Sequence, residues 1–201
     1  MPKGRLEVIT GCMFSGKTEE LIRRVRRLEI AKQRVLIFKP ELEIRYGASS
    51  IGTSSGNKKE ATTIPSKDPF QIVEHVSNAF PFWVMSNVAI DEAQFFSNKL
   101  IDAVKKLLEE NHRVIVTGLD LDFRGEPFGP MPQLMALADE VMKLTAICTI
   151  CHLSANRTQR IINGQPAPYD SELVVVGGLD KYEARCAEHH IVPGRSEIKS
   201  S

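Results

Sequence analysis

The stretch Leu6-Glu7-Val8-Ile9-Thr10-Gly11-Cys12-Met13-Phe14-Ser15-Gly16-Lys17-Thr18 decides the fold. Its first four residues are a short β-leaning run, and from just beyond Gly16 the apolar residues Leu21, Val25 and Leu28 recur along one side of a helix. Between strand and helix, Gly11 to Thr18 matches G-x-x-x-x-G-K-[ST] in the context that gives the pattern its meaning. A phosphate group needs many donors in a small concave space. Glycines let the backbone curl so that its N–H groups converge at the positive end of the helix that follows. In such a loop Gly11, Cys12, Met13, Phe14, Ser15 and Gly16 wrap the phosphates, and Lys17 reaches the β- and γ-phosphates. The Thr18 hydroxyl is then the expected Mg²⁺ ligand, and Cys12 a tolerated small residue.

Outward from this unit, strands and helices alternate. Opposite the apolar side of the first helix stand Arg23, Arg24, Arg26 and Arg27, read as a solvated or subunit-facing surface. Val35-Leu36-Ile37-Phe38 makes a second strand, stopped at Pro40. Residues 41–63, rich in Gly, Ser, Thr and Lys, show no clear periodicity and read as a long functional or mobile loop. A helix over 70–78 carries Ile72, Val73 and Val76, and a third strand over 83–90 begins with the only tryptophan, Trp83, as a core residue. A helix over 98–111, a fourth strand at Val114-Ile115-Val116, a short helix over 133–138 after Pro132 and a fifth strand over 141–144 follow. This predicts an α/β protein of P-loop type, with a parallel sheet flanked by helices and its ligands at the carboxyl ends of the strands. From Thr145 onward the pattern changes to paired cysteines and a β-branched run. The expected division is therefore a nucleotide-binding domain over 1–145, a small strand-based appendage over 146–192 and a loose polar tail over 193–201.

Composition narrows the classes. The 201 residues suit one domain with a small appendage, and with 42% hydrophobic and 25% charged residues they can bury a real core. Twenty-six Lys and Arg against 25 Asp and Glu leave a net charge of +1, without the basic footprint of a dedicated nucleic-acid binder. That weighs against an ATP-switched protein using the cysteine segment as a nucleic-acid ribbon. No signal-peptide-like apolar stretch follows the N-terminal basic residues, and no apolar run nears the ~18 residues of a membrane span. A soluble cytoplasmic protein, binding neither nucleic acid nor membrane, is the expectation.

Two further constellations carry chemistry. Asn87-Val88-Ala89-Ile90-Asp91 reads as the acidic strand that accompanies phosphate loops, with Asp91 holding the Mg²⁺ water shell and Glu92 available for a proton or a water. Cys148-Thr149-Ile150-Cys151 and Cys186-Ala187-Glu188-His189 form C-x₂-C plus C-x₂-H. Four such ligands close a tetrahedral structural zinc site and leave no open position for chemistry. His190, and less well His152, compete with His189 for the fourth place. The segment between the pairs becomes a loop tied at its base, suited to clamping a ligand.

Taken together, the phosphate loop, Asp91-Glu92-Ala93-Gln94-Phe95-Phe96, the cysteine quartet and Val176-Gly177-Gly178-Leu179-Asp180-Lys181-Tyr182 resemble the P-loop, zinc-containing thymidine kinase family, from about Gly4 to His190. Leu119-Asp120-Leu121-Asp122-Phe123-Arg124-Gly125-Glu126-Pro127-Phe128-Gly129 is similar to its signature loop in a bacterial form. The resemblance implies transfer of the γ-phosphoryl of ATP to the 5′-hydroxyl of thymidine, with deoxyuridine as a side substrate. It makes Glu92 the catalytic base and puts Gln94 and Arg45 with Asp91 and the loop on the nucleotide side. It also implies a lasso that closes over thymine and recognises it largely through main-chain groups of Leu173, Val174, Val175, Val176 and Gly177. Tyr182, Phe123 and Met13 line that site by the same resemblance, and the base packs on Phe123. A homotetramer inhibited by thymidine triphosphate is implied too. His189 stands where some members have cysteine.

Overall fold

The computed structural model describes residues 4–42, 50–52, 56, 58–80, 86–173 and 182–195. Arg45, Trp83, Val174, Val175, Val176 and Gly177 lie outside the described residues. The chain opens with β1 (Arg5–Gly11), α1 (Lys17–Ile30) and β2 (Val35–Pro40), then β3 (Ser50–Gly52), β4 (Lys58–Glu60) and β5 (Thr62–Ile64). The alternation continues with α2 (Phe70–Ala79), β6 (Asn87–Ile90), α3 (Lys99–Glu109), β7 (Arg113–Gly118), α4 (Met131–Leu137) and β8 (Glu140–Leu144). Beyond it come β9 (Ala146–Ile147), β10 (Ser154–Ala155), β11 (Arg157–Ile162), β12 (Gln165–Pro166) and β13 (Tyr182–Arg185).

Six strands form one sheet in the order β5-β2-β6-β7-β1-β8, and every neighbouring pair is parallel. The apolar strand runs are continuous because both faces are covered. Successive side chains alternate: Val8, Val88, Ile90, Val114 and Val116 pack with Ile72, Val76, Leu100, Val104 and Leu107 of α2 and α3. Ile9, Ile37, Ala89 and Ile115 meet Leu21, Val25 and Leu28 of α1 on the other face. Each such side chain, fully buried, contributes roughly 1.5–3 kcal/mol. The later strands pair antiparallel, β9 with β10 and β11 with both β12 and β13.

Three expectations need correction. Residues 41–63 are not one long loop: β3 and β4 pair antiparallel, Ile51 opposite Lys59, and β5 extends the sheet to six strands where five were expected. Three-residue strands are too short to show a period, and tertiary contacts hold them, with Ile51 in the α1 core and the Lys39 ammonium 2.9 Å from the Ser50 carbonyl. The short helix begins at Met131, so Pro132 sits inside its first turn, where a missing N–H costs no helical hydrogen bond. Finally, Arg24 is not on a solvated surface. It lies three residues after Leu21 and four before Leu28, which places it on the buried stripe, and it is only 9% exposed.

What Arg24 meets there is Glu7, 3% exposed on β1. Arg24 Nη1 donates to Glu7 Oε2 at 2.5 Å and Arg113 Nε to Oε1 at 2.8 Å. Burial pushes the Glu7 carboxyl up, and the two guanidiniums more than reverse it, holding it below the usual carboxylate range. Among the described residues no helix is long and apolar enough to cross a membrane.

Glu7→Gln strands buried cations and is expected to lower the unfolding free energy by about 3 kcal/mol. That is the low end for a broken buried pair, because Arg24 keeps Glu20 and Glu140. With the folded value below the unfolded one, Glu7's contribution is complete above the unfolded value and disappears as pH falls through the folded one. Urea titrations from neutral pH to below the carboxylate range are therefore expected to converge for wild type and variant at the acid end.

Candidate active site

The phosphate loop leaves β1 at the carboxyl edge of the sheet. Gly11 has φ +140°, and a Cβ there would come 2.3 Å from the Leu144 carbonyl oxygen, so only glycine allows the loop to turn against β8. Gly16 precedes α1 in the left-handed region, φ +85°, with open space around its Cα. Lys17, the first residue of α1, is buried, and its Nζ donates to the Cys12 carbonyl at 2.8 Å. The Ser15 hydroxyl donates to the same oxygen at 2.8 Å. Burial pushes the Lys17 amine below its ordinary range, with Glu92, Cys12 and Asp91 pulling it back only in part. A buried, under-neutralised cation at a helix N-terminus, beside a concave loop, fits a phosphate chain.

Two strands away, β6 delivers Asp91, 5% exposed. Its Oδ2 takes a hydrogen bond from Thr18 Oγ1 at 3.4 Å, and its Oδ1 accepts from the Glu92 amide at 3.0 Å and from the Thr117 hydroxyl. Burial, and then the neighbouring Glu92, push the Asp91 carboxyl up to about 6. A carboxylate short of positive charge, facing a hydroxyl at the phosphate loop, is the hard-oxygen donor set that suits Mg²⁺. Glu92 has φ +51°, a conformation that costs a non-glycine residue about 1–3 kcal/mol. Gln94, expected on the nucleotide side, bridges two elements: its Nε2 donates to Glu92 Oε2 at 2.5 Å, and its Oε1 accepts the Leu119 amide at 3.0 Å.

Residues 119–129 form a compact loop around Asp122. Its Oδ1 accepts the Arg124 and Glu126 amides at 2.8 and 3.0 Å, which turns Phe123 inward, where it is buried. The C-terminal strands dock directly on the phosphate loop. The Met13 amide donates to Thr158 Oγ1 at 3.1 Å, and the Cys12 thiol to the Ala155 carbonyl at 3.4 Å. Tyr182 on β13 stands opposite Arg160 on β11, and Leu173 is partly exposed. Met13, Phe123 and Tyr182 therefore come from three elements that meet at one edge of the sheet. Thr117 and Thr158 escape a reading by sequence. Thr117 could have been suspected as a polar strand end beside Gly118, whereas nothing local marks Thr158.

The ligand-bearing atoms of Cys148, Cys151, Cys186 and His189 all lie within 4.8 Å of one another. Cys186 Sγ is 3.1 Å from His189 Nδ1, and Cys151 Sγ 3.8 Å from Cys186 Sγ. Burial opposes ionisation of Cys148, but the amides of Cys151, Cys186 and Ile150 outweigh it and bring its thiol down to about 6. Three sulfurs and one imidazole nitrogen fit zinc. His190 points elsewhere, its Nε2 2.8 Å from the Phe123 carbonyl, and His152 is not in the cluster.

The thymidine kinase family model matches residues 4–190, nearly the whole chain. The chain belongs to the thymidine kinase family. A thymidine kinase from Coprothermobacter proteolyticus is 54% identical over 193 residues, covering 96% of this chain and 93% of that protein. Among solved structures, the genome packaging NTPase B204 from Sulfolobus turreted icosahedral virus 2 in complex with ATP-gammaS is 16% identical, with a TM-score of 0.46 over 74% of this chain and 77% of the other. The same NTPase in complex with sulfate is 16% identical with a TM-score of 0.47, over 74% and 76%. As a thymidine kinase family member the chain is an enzyme.

The cysteine cluster makes a checkable claim. This thymidine kinase family member is expected to copurify with about one equivalent of zinc. Cys148→Ser is expected to release the metal, measured by elemental analysis, and to lower the thermal midpoint, because the segment between the ligand pairs loses its tie.

Proposed function

We infer that the protein transfers the γ-phosphoryl group of ATP to the 5′-hydroxyl of thymidine, giving thymidine monophosphate and ADP, a step of nucleoside salvage for DNA synthesis. One observation supports this: in a member of the thymidine kinase family, Thr18 of the phosphate loop meets the buried Asp91, Glu92 follows in a left-handed conformation, and Met13 is hydrogen-bonded to Thr158. Phosphoryl transfer asks mainly for positioning and charge neutralisation. The amides from Gly11 to Gly16 and the Lys17 ammonium hold the β- and γ-phosphates, and Arg45 adds a cation near them. Thr18 and Asp91 would hold Mg²⁺, which would supply positive charge to the phosphates. Glu92 accepts the proton of the 5′-hydroxyl as that oxygen attacks. Gln94 keeps the Glu92 carboxyl aimed by occupying one of its oxygens.

On the substrate side, thymine packs on Phe123 with Met13 at its methyl group and Tyr182 at its margin. The main chain from Leu173 through Val174, Val175 and Val176 to Gly177 reads its edge. One N–H between two carbonyls suits a fixed peptide segment and excludes the exocyclic amine of cytosine, which leaves deoxyuridine as a side substrate. Residues 1–145 act as the nucleotide-binding domain and 146–192 as a lasso domain whose zinc, on Cys148, Cys151, Cys186 and His189, is structural; 193–201 form the tail. Within the same reading the enzyme is a cytoplasmic homotetramer inhibited by thymidine triphosphate, and binds neither nucleic acid nor membrane.

The deciding experiment supplies γ-³²P-labelled ATP and Mg²⁺ with thymidine, deoxyuridine, deoxycytidine or deoxyguanosine. Label is expected on thymidine, less on deoxyuridine and little on deoxycytidine; label on none, with ATP hydrolysis intact, overturns the acceptor assignment. Glu92→Gln is expected to keep thymidine and ATP binding by calorimetry while kcat falls by about 10²–10⁴. Near-normal turnover removes Glu92 from the role of base.

A further inference from the structure

The two consecutive histidines at the end of the metal cluster have separate partners. His189 stands with the three cysteines, whereas His190, partly buried, turns its Nε2 to the Phe123 carbonyl at 2.8 Å. A carbonyl can only accept, so this nitrogen carries the proton and donates. The imidazole also packs closely on the turn that follows Phe123: a Cβ on Gly125, where φ is +79°, would stand 3.4 Å from His190 Cε1. On β11, the buried Gln159 holds the next residue along by both of its main-chain groups. Gln159 Nε2 donates to the Ile191 carbonyl at 2.9 Å, and its Oε1 accepts the Ile191 amide at 2.8 Å. These are the two bonds that a neighbouring strand would make. Gln159 directly follows Thr158, the acceptor of the Met13 amide.

We propose that His190 is a positioning residue for Phe123, fastening the 119–129 loop to the metal cluster and to β11 so that the Phe123 ring keeps a fixed place. This rests on the function proposed above, in which the base packs on Phe123. Around Phe123 the loop's own hydrogen bonds are local. Asp122 Oδ1 accepts the Arg124 and Glu126 amides, while the Asp122 and Gly125 amides donate to the Glu126 and Asp122 carbonyls. Bonds of that kind set the shape of a turn, but not where the turn stands relative to the C-terminal strands. The His190 bond does, because its donor sits between two tied neighbours, His189 in the cluster and Ile191 on Gln159. A packing surface is only as well placed as the chain that carries it. Here the acceptor is the carbonyl of Phe123 itself, so slack in the tether is felt one bond from the Cα that bears the ring.

The test compares wild type with His190→Leu, which removes the donor, and His190→Gln, which keeps an N–H at similar reach. At saturating ATP, the thymidine KM of His190→Leu is expected to rise about five- to tenfold, with kcat within about twofold. ATP KM at saturating thymidine, and zinc content by elemental analysis, are expected to match wild type. His190→Gln is expected to recover most of the thymidine KM. Gln159→Met loosens the same tether from β11 and is expected to repeat the signature of His190→Leu. Amide exchange gives a readout independent of turnover: protection over 122–126 is expected to fall in His190→Leu and to be kept in His190→Gln, with β1 and α1 unchanged. Unchanged thymidine KM in both His190→Leu and Gln159→Met overturns the inference. So does loss of zinc from His190→Leu, which makes His190 a support of the metal cluster. A parallel change in ATP KM and kcat also overturns it, because that marks a merely structural role. Failure of the functional reading shows separately, in wild type, as absent transfer to thymidine.

Discussion

A lysine and an aspartate are taken out of water at the carboxyl edge of one sheet, with a second carboxylate beside them, and most of the structure is arranged around that charge. Burial shifts both Lys17 and Asp91 toward their neutral forms. A polyanion beside Lys17 and a divalent cation held by Thr18 and Asp91, as proposed above, would relieve both at once. That is a physical reason for such a site to bind its nucleotide and metal together. The surrounding fold keeps the groups from relaxing. Thr117 and the Glu92 amide occupy Asp91 Oδ1, and the Gly11 turn against Leu144 holds the loop that places Lys17.

The same edge is where the C-terminal strands attach. Cys12 and Met13, inside the phosphate loop, are hydrogen-bonded to Ala155 and Thr158, and Cys12 packs among Ala146, Cys148, Ala155 and Ala184. The cysteine cluster therefore stands directly behind the loop that grips phosphate rather than at a remote tip. A metal there would do two mechanical jobs: it would close the long excursion between its ligand pairs, reducing the entropy that segment would otherwise keep, and it would stiffen the wall on which the phosphate loop leans. On the function proposed above, the nucleotide and the nucleoside would be held against this same wall, through Met13 and Thr158.

The back of the sheet shows a different use of charge. Glu7, Arg24 and Arg113 tie β1 to α1 and β7 in a buried cluster far along β1 from Gly11. A buried ion pair contributes little beyond what well-packed apolar residues would, but it is costly to mismatch.

Sequence alone determined what depends on neighbours along the chain: the phosphate loop between a strand and a helix, the strand–helix alternation, the Asp91-Glu92 strand end and the two ligand pairs of the metal cluster. Each is specified within about ten residues, by backbone freedom at glycine, by apolar periodicity or by ligand spacing. Tertiary structure decided what depends on residues far apart. The strand order, the recruitment of β5, the choice of His189 with His190 turned to Phe123, and the burial of Arg24 are settled by long-range contacts. The helical spacing of Arg24 already pointed inward, but a charged side chain reads as exposed until its partner Glu7 is known, because burying a cation is tolerable only when a carboxylate meets it. The approach of Arg160 to Phe123 was illegible for the same reason: it joins residues whose nearness exists only after the chain has folded.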